Sequence, residues 1–518
     1  MEQVSLVANG VIIVCCVVAV IYAWRLFNWV WLKPKSMEKH LRDQGFNGNP
    51  YKFLYGDVKE MVKMTSQARL EPIKLTDSIL PRVMPFIYTS AKIHGDNFFT
   101  WLGPRPVVHV TEPTLIREVL GNYYQFQKPR GGNPLTKLLG TGVADADGDI
   151  WAKHRKIINP AFHAEKLKHM LPAFYVSCSE MICKWEGLTK GRSSEVDVYP
   201  DLQTFTSDVI SRTAFGSSYE EGKRIFELQK EQEKLVVKAA QSLYIPGSRF
   251  LPTKSNKRMM EIDREVKGSI KKIIDKRLKA MLNGESSKED LLGILLDSNN
   301  KEIKQQGNTN FGLNHDEVIE NCKIFYFAGQ ETTANLLVWT MITLSHHTNW
   351  QDRARDEVLR VFKERKPDVD GLNHLKIINM ILHEVLRLYP AGIALGRTIH
   401  EETKLGNTTL PAGSHLQLHM MILHRDPNIW GNDVDEFNPE RFAEGVSKAT
   451  KHQLSYLPFG GGPRICIGQN FAMLEAKMAL VMILRRFSFE LSPSYSHAPY
   501  TIVTLQPQFG AQLILTEL

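Results

Sequence analysis

The stretch that most constrains this chain is Phe459-Gly460-Gly461-Gly462-Pro463-Arg464-Ile465-Cys466-Ile467-Gly468, followed at once by a helix-forming run from Gln469 to about Phe487. A cysteine that ends a glycine-rich loop and opens a helix sits where the helix dipole and unpaired backbone N–H groups favour the thiolate. It is therefore a candidate metal ligand. Taken alone, the same pattern equally fits a buried structural cysteine beside a turn.

With 518 residues, 43% hydrophobic and 23% charged, the chain holds enough apolar surface for one large core or two domains and is not a disordered polymer. Cys15, Cys16, Cys178, Cys183, Cys322 and Cys466 show no paired spacing of a disulfide framework, which points to a reducing compartment for the folded part. The net charge of +8 is moderate and no lysine-arginine block dominates. It suits an anionic membrane surface or an acidic protein partner, and no motif for nucleic acid is present.

A membrane surface agrees with the N-terminus. From Val4 to Trp24 the chain is almost uncharged, and about 21 helical residues at ~1.5 Å each reach across the hydrocarbon core of a bilayer. Arg25, Lys33, Lys35 and Lys39 follow this run and only Glu2 precedes it, so the positive-inside bias places the C-terminal side in the cytosol. Trp24, Trp29 and Trp31 mark the interface. A cleaved signal peptide is the competing reading, but the run lacks a basic start and a clear small-residue cleavage site.

Residues 33 to 90 mix Gly, Pro and charge and predict a linker leading into short helices; Phe98 to Val110 predicts a small sheet, with a strand over Pro106–Val110. Trp151 and Arg155 lie four apart, on one helix face. Residues 165 to 282 predict amphipathic helices broken at Tyr244-Ile245-Pro246-Gly247 and Leu251-Pro252, and Ser286 to Gly312 predicts a polar surface loop. A long helix starts where Asn314 and Glu317 fit a capping box. From Ile324 to Leu344 it is apolar nearly all round except Gln330-Glu331-Thr332-Thr333 and Asn335, and an acid at its centre favours a buried functional helix over a second span. Glu384 and Arg387 stand three apart inside the apolar run Ile377 to Tyr389, which predicts a buried ion pair. His415 and His419 alternate with apolar residues as on a strand, and Val503 to Leu515 predicts terminal strands. The fold class is mainly α with small β-sheets (α+β).

Written as Phe-x-x-Gly-x-Arg-x-Cys-x-Gly, the cysteine loop resembles the haem-binding loop of the cytochrome P450 superfamily. Trp151-x-x-x-Arg155, Ala328-Gly329-Gln330-Glu331-Thr332-Thr333, Glu384-x-x-Arg387 and Pro439-Glu440-Arg441-Phe442 resemble its other motifs, in the family's order. The resemblance implies a membrane anchor over residues 1–32 and a cytochrome P450 catalytic domain over 33–518. It implies that Cys466 is the axial thiolate of heme b and that Phe459 shields the sulfur. Trp151, Arg155, Arg397 and Arg464 would hold the propionates. Gly329 would let haem come close, the Thr332 hydroxyl would bond back to the preceding turn, and Glu331 with Thr332 would deliver protons to bound O2. Glu384, Arg387 and Arg441 would form a structural triad behind the loop. Lys153 and Lys156 would face a redox partner. The pocket would draw on Gly131 to Leu135, Phe327, Ala391 to Leu395 and residues near Thr501.

Tyr326 to Thr333 and Gln469 to Lys477 further resemble the plant clan of secologanin synthase and triterpenoid oxidases. Two departures stand out: no repeated-proline hinge follows the anchor, and the relay acid is Glu rather than Asp. The resemblance implies a single-pass enzyme of the endoplasmic reticulum membrane with its catalytic domain in the cytosol. NADPH-cytochrome P450 reductase would supply electrons, and one atom of O2 would enter an apolar terpenoid, an oleanane-type triterpenoid first and an iridoid monoterpenoid second. The alternatives are a haem-thiolate enzyme that rearranges a hydroperoxide without reductase, and a non-catalytic membrane haem protein.

Overall fold

A computed structural model describes residues 2–518 except 130–131, 242–243, 245–246, 285–289 and 451–453, with backbone alone at 2–8 and 309. Gly131 of the expected pocket, and Ile245 and Pro246 of the expected helix break, lie outside the described residues.

The N-terminal helix α1 (Glu2–Phe27) runs through a π-turn at Asn28–Leu32 into α2 (Lys33–Asp43). The helical stretch Asn9–Asp43 contains a window of mean hydropathy 2.4 with none of it buried, long and apolar enough to cross a membrane. Packing against the body begins at Val30, inside the stretch read as anchor: Val30 is 4% exposed, and its carbonyl accepts the Tyr51 hydroxyl at 2.6 Å. The expected linker therefore does not start at residue 33. Met37 and Leu41, one turn apart, bury into the body, and Glu38 accepts Lys35 at 2.9 Å and Arg42 at 3.2 Å. Most of the charges that disguised α2 as a linker, Lys33, Lys39, Arg42 and Asp43, are its outer face, while Glu38 is buried.

Helices α3 (Gly148–Ile158), α4 (Ala164–Thr189), α5 (Val198–Phe215), α6 (Tyr219–Ala240) and α7 (Lys254–Leu282) follow. The loop expected over 286–312 instead contains α8 (Leu291–Gln306), capped where Asp290 accepts the Gly293 N–H at 2.7 Å. Its apolar residues Leu291, Leu292, Ile294, Leu295 and Leu296 form one buried block rather than a repeating stripe, so periodicity gave no sign of a helix.

Central to the fold is α9 (His315–His346), 32 residues long. Its capping box forms as expected: Asn314 accepts the Glu317 N–H at 2.9 Å and Glu317 accepts the Asn314 N–H at 2.8 Å. Apart from its ends and the face around Ala328 and Thr332 it is largely buried, because α5, α7, α10 (Lys376–Leu388) and α11 (Gln469–Arg486) pack on it from different sides.

The largest sheet has the order β1-β2-β3-β6-β5, from β1 (Asn47–Gly48), β2 (Phe98–Leu102), β3 (Arg105–Val110), β5 (Leu395–Thr398) and β6 (His415–Leu418). Strand β4 (Ser193–Asp197) pairs with β10 (Gln512–Glu517), which pairs with β7 (Phe487–Leu491), while β8 (Pro499–Thr501) and β9 (Leu505–Pro507) make a hairpin. His419 lies just past β6, where its Nε2 meets His109 Nδ1 at 2.7 Å, and burial pushes it down to about 4. His424 accepts the Leu457 N–H at 2.9 Å.

Candidate active site

The cysteine loop is folded by its own backbone. The Cys466 N–H donates to the Phe459 carbonyl at 2.9 Å and the Gly460 N–H to Leu457 at 3.0 Å, so the segment doubles back on itself before α11 starts. Gly462 is required there: its φ is +67°, and a Cβ would stand 2.5 Å from the Leu120 carbonyl oxygen.

Between this loop and α9 lies a cavity of about 380 Å³. Cys466, Phe459, Trp151, Arg155, Arg397 and Arg464 all line it, as does Thr332. The Cys466 side chain is accessible there, yet it sits deep in the protein. Burial pushes its thiol up, against smaller pulls from the Gly468 N–H and Arg155. The helix dipole alone therefore does not secure a thiolate; a coordinating cation does so outright.

The other wall is cationic. Arg155 donates to the Ile465 carbonyl at 2.8 Å, linking α3 to the cysteine loop. Arg464 pairs with Asp147 at 3.0 Å, donates to the Ala146 carbonyl at 2.5 Å and lies 5.0 Å from the Trp151 ring centroid. Burial pushes Arg397 down to about 10, with Arg464 adding to the effect. Lys128, which sequence reasoning missed, lines the same cavity and is pushed down to about 8 by burial and by Arg397 and Arg464. Gln127 fixes its position by exchanging backbone hydrogen bonds with Thr398 at 3.0 and 2.8 Å. Asp147 was also missed. No local pattern marks either residue: the Lys128 N–H donates to Asp147 at 3.0 Å across 19 positions, and the Arg464 partner of Asp147 is 317 positions away.

Buried cations in such excess are costly unless an anionic group joins them. A sulfur that faces the cavity and a surplus of cations on its wall form a donor set that fits heme b, whose iron takes a thiolate and whose propionates take Arg and Lys.

On α9 the outcome is divided. Thr332 donates to the Ala328 carbonyl at 2.8 Å and faces the cavity. Among the described residues, Glu331 is not part of the cavity wall. Successive helical side chains point roughly 100° apart, and Glu331, 7% exposed, turns towards α5 and the β8–β9 hairpin. Its Oε1 lies 3.2 Å from the Tyr199 hydroxyl and accepts Asn335 and Thr504 at 3.3 Å, while Oε2 accepts Gln203 at 3.3 Å. Gly329 lines the cavity as well, and a Cβ on it would stand 2.7 Å from Ile210 Cγ1, so the missing side chain also makes room for α5.

Glu384 and Arg387 are fully buried and joined by two bonds of 2.7 and 2.8 Å. Arg387 also donates to the carbonyls of His424, Val434 and Glu436. Arg441 Nε lies 3.5 Å from Glu384, and Arg441 holds Asp433 at 2.5 Å. Lys153 does not project freely. It bonds Glu317 at 3.1 Å and the Gly312 carbonyl at 3.1 Å, and Lys156 bonds Glu302 at 2.6 Å.

Comparison with known proteins agrees with this geometry. The Cytochrome P450 family matches residues 84–511. The chain is 65% identical to cytochrome P450 CYP72A219 of Panax ginseng over 505 residues, 97% of each chain. It is 54% identical to secologanin synthase 2 of Catharanthus roseus over 500 residues, 96% of this chain and 95% of that protein. In fold it is similar to the retinoic acid bound cyanobacterial CYP120A1, with a TM-score of 0.75 at 24% identity over 91% of this chain and 99% of that one. Cavity, cysteine loop and relatives together establish that this chain belongs to the cytochrome P450 family, as a haem-thiolate monooxygenase of the plant clan that includes secologanin synthase.

Proposed function

We propose that the chain is an endoplasmic reticulum enzyme that hydroxylates or further oxidises a plant terpenoid with electrons passed from NADPH by NADPH-cytochrome P450 reductase. The observation that carries this reading is the cavity that brings Cys466 and the Thr332 hydroxyl to one apolar space bordered by Ala328, Ala391, Leu395 and Met420. Such walls take an apolar skeleton. An oleanane-type triterpenoid is favoured and an iridoid monoterpenoid is second; the relative named secologanin synthase weighs for the second.

Cys466 would hold haem iron, with Phe459 beside the sulfur and Trp151, Arg155, Arg397, Arg464 and Lys128 on the propionates. Haem supplies the one-electron and dioxygen chemistry when bound. The chain's own residues do the rest. The apolar wall orients substrate and excludes water, the Thr332 hydroxyl holds a proton at the cavity face, and Glu331 replenishes it from behind. Glu384, Arg387 and Arg441 fix the segment that carries the cysteine loop. Residues 1–32 anchor the chain, and the basic residues that follow keep the catalytic domain in the cytosol.

The test uses the full chain with reductase, NADPH and a terpenoid panel, read by binding difference spectra and product mass. The reduced, carbon-monoxide-treated protein is expected to show the red-shifted Soret band of thiolate ligation and Cys466→Ser to lose it. Turnover of a hydroperoxide with no reductase, in place of NADPH-dependent product, would establish the rearranging alternative instead.

A further inference from the structure

Behind the cavity wall, a second carboxylate shares the surroundings of Glu331. Glu233 of α6 is 4% exposed, and its Oε1 accepts the Val503 N–H at 3.4 Å. The next residue, Thr504, donates its hydroxyl to Glu331 at 3.3 Å. One turn of the β8–β9 hairpin is therefore held between two acids. One turn before Glu233 on α6, the exposed Lys230 donates to Gln203 Oε1 at 3.2 Å, and Gln203 donates in turn to Glu331. Two buried polar atoms of the same hairpin, Thr501 Oγ1 and Gln506 Nε2, have no partner among the described residues and are free to bind water.

We propose that Glu233 is a positioning residue of the proton supply, holding the proton that passes along the 501–506 hairpin to Glu331 and from there to Thr332. The inference rests on the reading that Glu331 feeds Thr332. In each cycle Glu331 passes one proton to Thr332, Glu233 replaces it, and solvent returns one to Glu233, so every group ends the cycle in its starting charge state.

The charges around Glu233 support this. Burial pushes it up to about 7, Glu331 pushes in the same direction, and the Val503 N–H, Lys230 and Lys234 oppose. Tyr199 of α5 and Tyr500 of β8 face the same carboxylates, and burial first, then those acids, pushes both up. Arg69 also faces the hairpin, donating to the Thr501 carbonyl at 2.6 Å and opposing the rise at Tyr500, while Arg258 of α7 pairs with Glu231 at 2.6 Å and Lys137 with Asp145 at 2.9 Å. A carboxyl that is half protonated near neutral pH suits proton transfer, and its supply weakens as pH rises through about 7.

The experiment compares wild type, Glu233→Gln, Glu233→Asp and Thr332→Ala in the full chain with reductase. Infrared difference spectra recorded about one unit either side of pH 7 should show a protonated-carboxyl band that Glu233→Gln abolishes. Product per NADPH should fall severalfold in Glu233→Gln and lose its decline near pH 7, whereas Glu233→Asp should restore a titrating limb. A Glu233→Gln protein with an intact reduced carbon monoxide spectrum and a wild-type pH profile overturns the proposal. If that variant does not fold, an unshifted profile in Glu233→Asp overturns it. Uncoupling by Thr332→Ala with none at Glu233 removes Glu233 alone; no uncoupling at Thr332 overturns the relay reading and Glu233 with it.

Discussion

Two buried carboxylates, Glu384 and Glu331, stand in opposite kinds of surroundings. Glu384 holds Arg387 through bonds of 2.7 and 2.8 Å and accepts the Asn438 N–H at 3.0 Å, at full burial. Among the described residues Glu331 has four hydrogen-bond partners, none closer than 3.2 Å and none carrying a formal charge. The Tyr199 hydroxyl has one proton for three acceptors: Glu331, Asn335 and Gln506. A saturated, charge-assisted pair is locked, because every alternative leaves a bare charge in the interior. A carboxylate held by long, shared, neutral bonds exchanges partners and protons at small cost. The first arrangement suits a scaffold for the cysteine loop, and the second suits a relay.

The strongest way to break this contrast is Glu384→Ala. It leaves the Arg387 guanidinium buried against three carbonyls with no countercharge, and its expected cost is about 3–5 kcal/mol. Denaturant unfolding and haem retention measure it, with Glu331→Gln expected to unfold far closer to wild type. Equal losses for the two variants would mean that Glu331 is locked as firmly as Glu384, and the division between scaffold and relay would fail.

A smaller effect sharpens the distal side. Gly329→Ala puts a methyl group 2.7 Å from Ile210 Cγ1, overpacking that costs about 1–3 kcal/mol. Adding Ile210→Ala should recover much of the loss in a double-mutant cycle measured by denaturation. An absence of coupling would mean that α9 is free of α5 at this point, and that Gly329 serves the cavity alone.

The contrast also shows what the sequence made legible. The Glu384–Arg387 spacing inside an apolar run announced a buried pair, because few other arrangements tolerate two charges there. The capping box placed the start of α9, and the cysteine loop placed the floor of the cavity. The direction of Glu331 could not be read, because a helix apolar on every face carries no phase that separates cavity from back wall. Arg464 stands in the cysteine-loop motif, but its partner Asp147 lies 317 residues away and has no local motif. In α2 and α8 the apolar residues were too few or too clustered to set a period, and only packing against the body shows why they fold.

The smallest expected change in stability accompanies what should be a large change in chemistry, and Thr332 is where the two separate. Its hydroxyl donates to the Ala328 carbonyl at 2.8 Å on the cavity side of α9. A back-bond of this kind adds little to a helix, and water in the cavity can take over the freed carbonyl. Thr332→Ala should therefore lower stability by no more than ~1 kcal/mol and leave the reduced carbon monoxide spectrum unchanged. Product per NADPH should nevertheless fall at least about tenfold, with peroxide or water formed in its place, since a positioned general acid contributes on the order of 100-fold or more. The two measurements must come from one preparation, because a destabilised protein that loses haem also loses product. Full product yield from a stable, haem-loaded Thr332→Ala would show that protons reach the cavity without this hydroxyl. The loose bonding of Glu331 would then be a packing compromise rather than a design for proton transfer.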